Sequence, residues 1–146
     1  MTTPEALIAA LDMQPHPEGG WWAQTWMGPL DASGRPLGTA IAFLLRAGET
    51  SHWHRLDGSE VWHHHAGAPV ALRMWPGHGA VTEGRLGCDV ARGERPQLVV
   101  PAGSWQTAGP VGGWALVGCT MAPGFRVEGW ELAPPGWEPP GWGPPA

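Results

Sequence analysis

Short runs of alternating apolar and polar residues cover most of the chain, and glycine or proline separates each run from the next. Residues 70–75 alternate in this way, whereas residues 39–45 are almost continuously apolar, as in a strand buried on both faces. About eight to ten such runs predict an all-β jelly-roll barrel with short strands and tight turns. One short helix is predicted at the N-terminus, where Thr3, Pro4 and Glu5 form a start signal.

The composition limits the kinds of partner that the protein can have. Its 146 residues include 23 glycines and 17 prolines, which suits a single turn-rich domain. The formal net charge is −5, and all eight basic residues are arginines spread along the chain, so no nucleic-acid partner is expected. No apolar run approaches the roughly 18 residues of a membrane span, so no membrane partner is expected either. Because the N-terminus has no signal-peptide pattern, we expect a cytoplasmic protein.

The C-terminal composition separates a tail from the domain. We expect the domain to occupy residues 1–133 and a Pro/Gly/Trp-rich tail to occupy residues 134–146, where the sequence PPGW occurs twice. Proline and glycine at this density favour an extended or polyproline II conformation over a packed element. Two interpretations stay open. The tail could dock in an aromatic groove of another protein, or it could lie on its own subunit or a neighbouring one.

Candidate chemistry concentrates in residues 48–67, which read GETSHWHRLDGSEVWHHHAG. Two strand-like runs flank a turn signal at residues 57–58. Side chains two apart in a strand share a face, so a hairpin with a three-residue turn predicts one polar face. The side chains expected on that face are those of His52, His54, Glu60, Trp62 and His64. A two-residue Asp-Gly turn would instead place Glu60 on the opposite face from His54.

The chain also resembles a known family. The segments HPEGGWW, SHWHRLDGSEVWHHHAG, PQLVVPAGSWQ and GCTMAPGF resemble, in this order, the small stand-alone cupins of the fifth cupin domain family, over about residues 6–132. The resemblance implies a jelly-roll barrel, a homodimer, and a small-molecule pocket at the barrel mouth. It also places the first strand beside that mouth. The resemblance and the polar face of the hairpin together predict which residues contact the small-molecule ligand. They are Trp62, His64, Trp105, Gln106, Gln24 and Trp22.

The metal ligands implied by the cupin resemblance are only partly present. His54 and Glu60 occupy two of the four ligand positions, whereas Leu56 and Gln106 occupy the other two. Leucine cannot bind a metal, and a neutral amide oxygen is a poor ligand for zinc, iron or nickel. One hypothesis is a single divalent ion (Zn, Ni, Mn or Fe) held by His54, Glu60 and either His64 or His52. The other is a pocket without a metal, in which these groups bind or protonate an organic ligand.

Two functions fit these residues. A buried glutamate with a raised pKa beside a neutral histidine can move a proton next to a carbonyl group, so His54 and Glu60 predict an isomerase, epimerase or lyase. The nucleotide-sugar 3,5-epimerases share the jelly roll and pair a histidine base with a tyrosine acid. This chain contains no tyrosine, so Glu60 or a water molecule would have to be the acid. The alternative is a non-catalytic protein that binds a sugar-like or heterocyclic metabolite.

Overall fold

Eleven strands and one short α-helix make up the computed structural model, which describes residues 1–143. The helix is α1 (Pro4–Ala10). The strands are β1 (Gln14–Pro15), β2 (Trp21–Met27), β3 (Thr39–Leu45), β4 (Ser51–Leu56), β5 (Ser59–Gly67), β6 (Val70–Trp75), β7 (Thr82–Leu86), β8 (Gln97–Val100), β9 (Trp105–Pro110), β10 (Ala115–Ala122) and β11 (Trp130–Leu132). Two 3₁₀ turns lie at Val90–Arg92 and Val127–Gly129.

The strands form two antiparallel sheets that face each other. One sheet has the order β1-β2-β3-β10-β5-β8, and the other has the order β11-β4-β9-β6-β7. Side chains from both sheets, including Phe43, Trp62, Leu72 and Val117, form the core between them. The predicted all-β jelly roll is therefore confirmed, in the form of a two-sheet sandwich whose sheets do not close into a complete barrel.

The N-terminal helix begins where the sequence predicts. The Thr3 hydroxyl accepts a hydrogen bond from the Ala6 N–H at 3.2 Å, and Pro4 occupies the first helical position, where its missing N–H has no consequence. Within residues 1–143, no helix has the length and apolar character that a membrane crossing requires.

The predicted hairpin at residues 57–58 is wrong, because β4 and β5 belong to different sheets. Strand β4 pairs with β9 and β11, whereas β5 pairs with β8 and β10. The chain crosses from one sheet to the other at Asp57 and Gly58. His54 and Glu60 therefore approach each other across the interior of the sandwich and not side by side on one strand pair.

A bulge in β4 sets the direction of its side chains. Ser51 pairs with Ala108 and His54 pairs with Gln106, so β4 has one more residue than β9 over this interval. Ser51 and His54 are both buried in the interior, although three positions separate them. His52 consequently leaves the interior face, and its ring nitrogen Nε2 lies 2.9 Å from the carbonyl oxygen of Pro134, in the tail.

The described part of the tail lies on its own subunit. Trp137 and Trp142 pack against Trp53, on the outer face of the sheet that contains β4. This agrees with the second interpretation of the tail, although its last three residues, 144–146, lie outside the described residues.

The end of β5 provides a stability test. Gly67 and Gly112 both have a left-handed φ, of 82° and 85° respectively, which costs a residue with a Cβ about 1 kcal/mol. A Cβ at Gly67 would also collide with the Trp114 carbonyl, whereas the space beside Gly112 is open. We expect Gly67→Ala to lower the free energy of unfolding by roughly 1–3 kcal/mol more than Gly112→Ala, as measured by urea denaturation. Equal losses would contradict this close packing.

Candidate active site

A cavity of about 420 Å³ lies between the two sheets, at the end where β4 leads into β5. Its walls are mainly apolar. They are formed by His16, Pro17, Glu18, Trp22, Gln24, Met27, Thr39, Ile41, His54, Leu56, Glu60, Cys119, Met121, Phe125, Arg126, Val127 and Trp130. A second groove, of about 660 Å³, lies beside Arg85 and Glu94 and contains none of these residues. We assign the candidate site to the smaller cavity, because it alone of the two contains buried ionisable groups.

His54 lies on β4 and is 2% exposed. Its Nδ1 is 2.7 Å from the His52 carbonyl oxygen. A carbonyl can only accept a hydrogen bond, so Nδ1 carries the proton and Nε2 has the free lone pair when the ring is neutral. Burial lowers the pKa of His54, and the charge of Glu60 and the hydrogen bond to His52 oppose that effect. The ring is therefore neutral at pH 7, with its basic nitrogen directed away from the strand.

Glu60 faces His54 from the opposite sheet. Its Oε1 accepts hydrogen bonds from the Trp62 indole N–H at 3.1 Å and from the Gln106 amide N–H at 3.1 Å. The same indole donates to the Gln106 amide oxygen at 2.9 Å, which closes a small network. Burial raises the pKa of Glu60 to about 7, against the lowering effects of His54 and of these hydrogen bonds. Because both bonds are to Oε1, Oε2 is the oxygen that can hold a transferable proton.

Glu18 is a third member of the site that the sequence did not single out. Its Oε1 accepts a hydrogen bond from the Ser51 hydroxyl at 3.0 Å, and its Oε2 lies 3.4 Å from His54 Nε2. Burial raises the pKa of Glu18 to about 8. The turn that carries it is fixed at both ends, since its N–H donates to His16 Nδ1 at 3.1 Å and its carbonyl accepts from the His52 N–H at 2.7 Å.

His16, in the turn before β2, is also part of the cavity wall. Burial lowers the pKa of His16 to about 4, and the nearby His54 adds to this effect. Its ring packs edge-on against Trp22 and Phe43, with centroid distances of 5.3 and 5.7 Å. His16 is therefore neutral at pH 7. Because its Nδ1 accepts from the Glu18 N–H, its Nε2 carries the proton, and the ring contributes packing and one donor to the wall.

Trp130 and Arg126 form the wall next to β11. The Trp130 indole N–H is buried and makes no hydrogen bond of good geometry among the described residues, although it approaches the Glu18 carboxyl as a weak donor and so lowers its pKa. Arg126 donates from Nε and Nη2 to Asp57 Oδ2 at 3.0 and 2.8 Å. An unpartnered buried donor beside a cavity is suited to a polar ligand atom.

The structure brings some predicted site residues together and separates others. His54, Glu60, Gln24 and Trp22 line the cavity. Trp62 and Gln106 lie behind Glu60 and hold its carboxylate without lining the cavity. Three predicted residues lie elsewhere. They are His52, which contacts the tail, His64, whose ring contacts Ala68 and Cys88, and Trp105, which packs under Trp137.

The donor groups around the cavity do not fit the metal site considered from the sequence. His52 and His64 do not join His54 and Glu60, and both polar atoms of the Gln106 amide are engaged with Trp62 and Glu60. Among residues 1–143 no three His, Cys, Asp or Glu side chains are grouped as metal ligands. His52, His54, Glu60 and His64 therefore do not form one metal site in this structure.

A two-sheet jelly roll with a cavity between its sheets is the architecture found in cupins. The family model described as Cupin superfamily (DUF985) matches residues 5–133, and the chain belongs to this family. No curated protein matches the sequence.

Solved structures agree with this assignment. A crystal structure of a protein from Shewanella oneidensis is 39% identical, with a TM-score of 0.86 over 91% of this chain and 85% of that one. A hypothetical protein from Leishmania major is 29% identical, with a TM-score of 0.82 over 90% of this chain and 88% of that one. A dTDP sugar isomerase from Desulfovibrio desulfuricans is 16% identical, with a TM-score of 0.59 over 77% and 83% of the two chains, which shows a shared fold alone.

The raised pKa values of the two glutamates predict a pH-dependent stability. Between the ordinary glutamate value of 4.5 and the folded values of about 7 and 8, the folded chain binds protons that the unfolded chain has released. Stability therefore falls as pH rises through this range. The pKa values of His16 and His54 are lowered, so these two residues make stability rise with pH, but only below pH 6.5. We expect a loss of roughly 2 kcal/mol in the free energy of unfolding between pH 6.5 and 8.

The Glu18→Gln variant isolates this contribution. The amide keeps an acceptor for Ser51 but cannot ionise, so more than half of the loss between pH 6.5 and 8 should disappear. Glu128→Gln, which changes an exposed carboxylate, serves as the matched control and should keep the slope of the parent protein. Denaturation curves at several pH values measure both. An unchanged slope in Glu18→Gln would contradict a buried, protonated Glu18.

Proposed function

We propose that this cupin is an isomerase or epimerase that moves a proton at a carbon next to a carbonyl group, with His54 as the base and Glu60 as the acid. The observation that carries the proposal is the placement of a neutral imidazole between two buried carboxyl groups whose pKa values are raised toward neutrality, in the wall of a cavity. Lyase chemistry that begins with the same proton abstraction uses the same groups.

The base is His54 Nε2. The hydrogen bond from Nδ1 to the His52 carbonyl holds the ring with this lone pair toward the cavity and makes the resulting imidazolium more favourable. Glu18 Oε2, at 3.4 Å, is too distant for a strong hydrogen bond with Nε2, so a substrate C–H can compete for the lone pair. Once the imidazolium has formed, the Glu18 carboxyl is the group that stabilises its new N–H.

The acid is the Glu60 carboxyl. Its pKa of about 7 leaves a substantial fraction protonated at neutral pH, which suits a general acid. Trp62 and Gln106 fix the carboxyl plane through Oε1, so the proton on Oε2 has a defined direction. His54 and Glu60 come from opposite sheets, so a substrate between them can lose a proton to one and receive a proton from the other.

The lining of the cavity favours a small substrate without phosphate groups. Arg126 is the only cationic side chain among the lining residues, and it donates to Asp57. A nucleotide sugar, as named for the Desulfovibrio isomerase, would bring phosphates that need several free cationic donors. The rings of Trp22 and Trp130 can instead stack on a sugar-like or heterocyclic metabolite, and the free Trp130 N–H can donate to its carbonyl oxygen.

The second candidate is a binding protein that uses the same cavity without chemistry. The apolar walls and the unpartnered Trp130 N–H support ligand binding whether or not a proton moves. The homodimer that the family resemblance implies remains a prediction, and sedimentation velocity on the full chain tests it.

Solvent-deuterium exchange separates catalysis from binding. Ligands are first found by thermal shift among unphosphorylated keto-sugars and small heterocycles, with their phosphorylated forms as matched probes. In D₂O we expect the enzyme to introduce deuterium at the carbon next to the carbonyl of the ligand. Glu60→Gln should lower kcat by ~10²–10⁴-fold with a much smaller change in KM, because the amide keeps the hydrogen bonds to Oε1 but cannot donate the proton.

Glu128→Gln, with its substitution on the exposed surface, provides the matched control and should exchange at the rate of the parent protein. A ligand that binds tightly and is recovered without deuterium after long incubation would decide for the binding protein.

The pH profile of kcat/KM tests the assignment of the acid and the base. Activity should fall above about pH 7 as Glu60 loses its proton, and it should fall on the acid side at a pH below 6.5 as His54 becomes protonated. Trp62→Phe removes a hydrogen bond that lowers the pKa of Glu60, so the alkaline limb should move up by about half to one pH unit. An alkaline limb that stays in place would rule out Glu60 as the acid.

A further inference from the structure

The two PPGW repeats form the same turn twice. In residues 134–137 and 139–142 the tryptophan N–H donates to the carbonyl of the first proline at 3.0 Å. The glycines before the tryptophans have φ values of 80° and 78°, as the third position of a type II turn requires. Each repeat is therefore a rigid turn that presents one indole, and neither repeat needs to belong to a strand or helix in order to be ordered.

The indoles of Trp137 and Trp142 pack on an aromatic surface, which lies on the outer face of the sheet that contains β4. Trp137 lies 4.6 Å from Trp105, 6.2 Å from Trp53 and 6.3 Å from Trp75, measured between ring centroids, so it touches β9, β4 and β6. Trp142 lies 6.4 Å from Trp53. Arginines add to the contact, with the Arg73 guanidinium 5.5 Å from the Trp142 ring. Trp53 is 4% exposed as a result.

The beginning of the tail is hydrogen-bonded to the strand that carries the base. The Ala133 N–H donates to the Trp53 carbonyl at 3.0 Å. The His52 Nε2–H donates to the Pro134 carbonyl at 2.9 Å, and the same residue's carbonyl accepts from His54 Nδ1 at 2.7 Å. Leu132 pairs directly with His54 in the sheet. A continuous set of contacts thus joins the aromatic surface to the catalytic imidazole.

We propose that residues 133–142 are a positioning strap, which holds the β4 bulge in place from the outside and so keeps the proton of His54 on Nδ1. Without the strap, the His52 carbonyl loses its fixed direction and Nε2 is no longer the free nitrogen. Residues 134–142 lie beyond the part of the chain that the family model matches, so most of the strap comes from a segment outside the matched domain. The inference deepens the proposed function, which supplies the role of His54 as the base.

The tautomer of His54 can be measured directly in the ligand-free full chain. In ¹⁵N-histidine-labelled protein, the imidazole nitrogen resonances report which nitrogen is protonated. Trp137→Ala removes the indole that contacts three strands, and His52→Ala removes only the ring that binds Pro134. We expect either substitution to change the ratio of the two neutral tautomers of His54 by about fivefold, the effect of one hydrogen bond of average strength. Trp26→Ala, an equal truncation of a half-exposed indole on β2, should leave the ratio unchanged.

The outcomes separate this inference from the proposed function, because the measurement uses no substrate. A shift in both Trp137→Ala and His52→Ala supports the strap even if no deuterium exchange is ever found. His54 resonances unchanged in both folded variants would overturn it. A shift in Trp137→Ala alone would overturn the route through His52. Since Trp137→Ala could unfold the chain, the milder His52→Ala, with its fold checked by amide dispersion, keeps the test decisive.

Discussion

Three ionisable side chains are buried together in a cavity that offers them little water, and this burial is the constraint on which the site depends. Desolvation is the largest influence on the pKa values of Glu18, His54 and Glu60, and it favours the neutral form of each. Charged, these groups would destabilise the fold by several kcal/mol. In their neutral forms, these three groups can lie close together and exchange protons at little cost in free energy. The acid and base properties of the cavity therefore come from its low polarity, and a more open pocket would lose them.

The surrounding structure limits how these groups can move. Trp62 packs edge-on against Phe43 at 6.0 Å and holds both Glu60 and Gln106 with one indole N–H. Ser51 holds Glu18 from the neighbouring strand. Because each carboxyl has a partner on an adjacent element of the core, its orientation is set by packing as much as by hydrogen bonding. Such support by buried neighbours is what keeps catalytic geometry fixed.

Much of the fold could be read from the sequence, because runs of alternating residues and the Gly/Pro turns between them are local signals. His54 and Glu60 could be found as well, since they stand in a polar strand pattern that a core strand would otherwise avoid. Pairing is not local, and a two-residue period cannot tell whether consecutive strands are neighbours or face each other from two sheets. The predicted hairpin was wrong for that reason. The bulge in β4, which removes His52 from the interior, leaves no trace in the hydrophobic pattern.

Glu18 was missed because its contacts come from far along the chain. It lies in a Gly-rich turn, where a glutamate is usually solvated, and its partner Ser51 is 33 residues away. One signal was available: the turn HPEGG contains two glycines with positive φ, Gly19 and Gly20, and Gly19 lies against the Thr50 carbonyl, where a Cβ would not fit. In the sequence, the visible signal is the glycine pair itself, because glycine is the usual residue where a backbone must approach a neighbour closely.

The crossing between the sheets at Asp57 brings charged groups next to a cavity whose interior groups are neutral. Asp57 binds Arg35 from one loop and Arg126 from another, at 2.7 and 2.8 Å, so the crossing is held by charges that lie partly in solvent. The side chains of Glu18, His54 and Glu60 inside the cavity are neutral by contrast, and dissolved ions do not reach them. Added salt should therefore weaken the ion pairs at Asp57 while leaving the buried hydrogen bonds of Glu18 and Glu60 as they are.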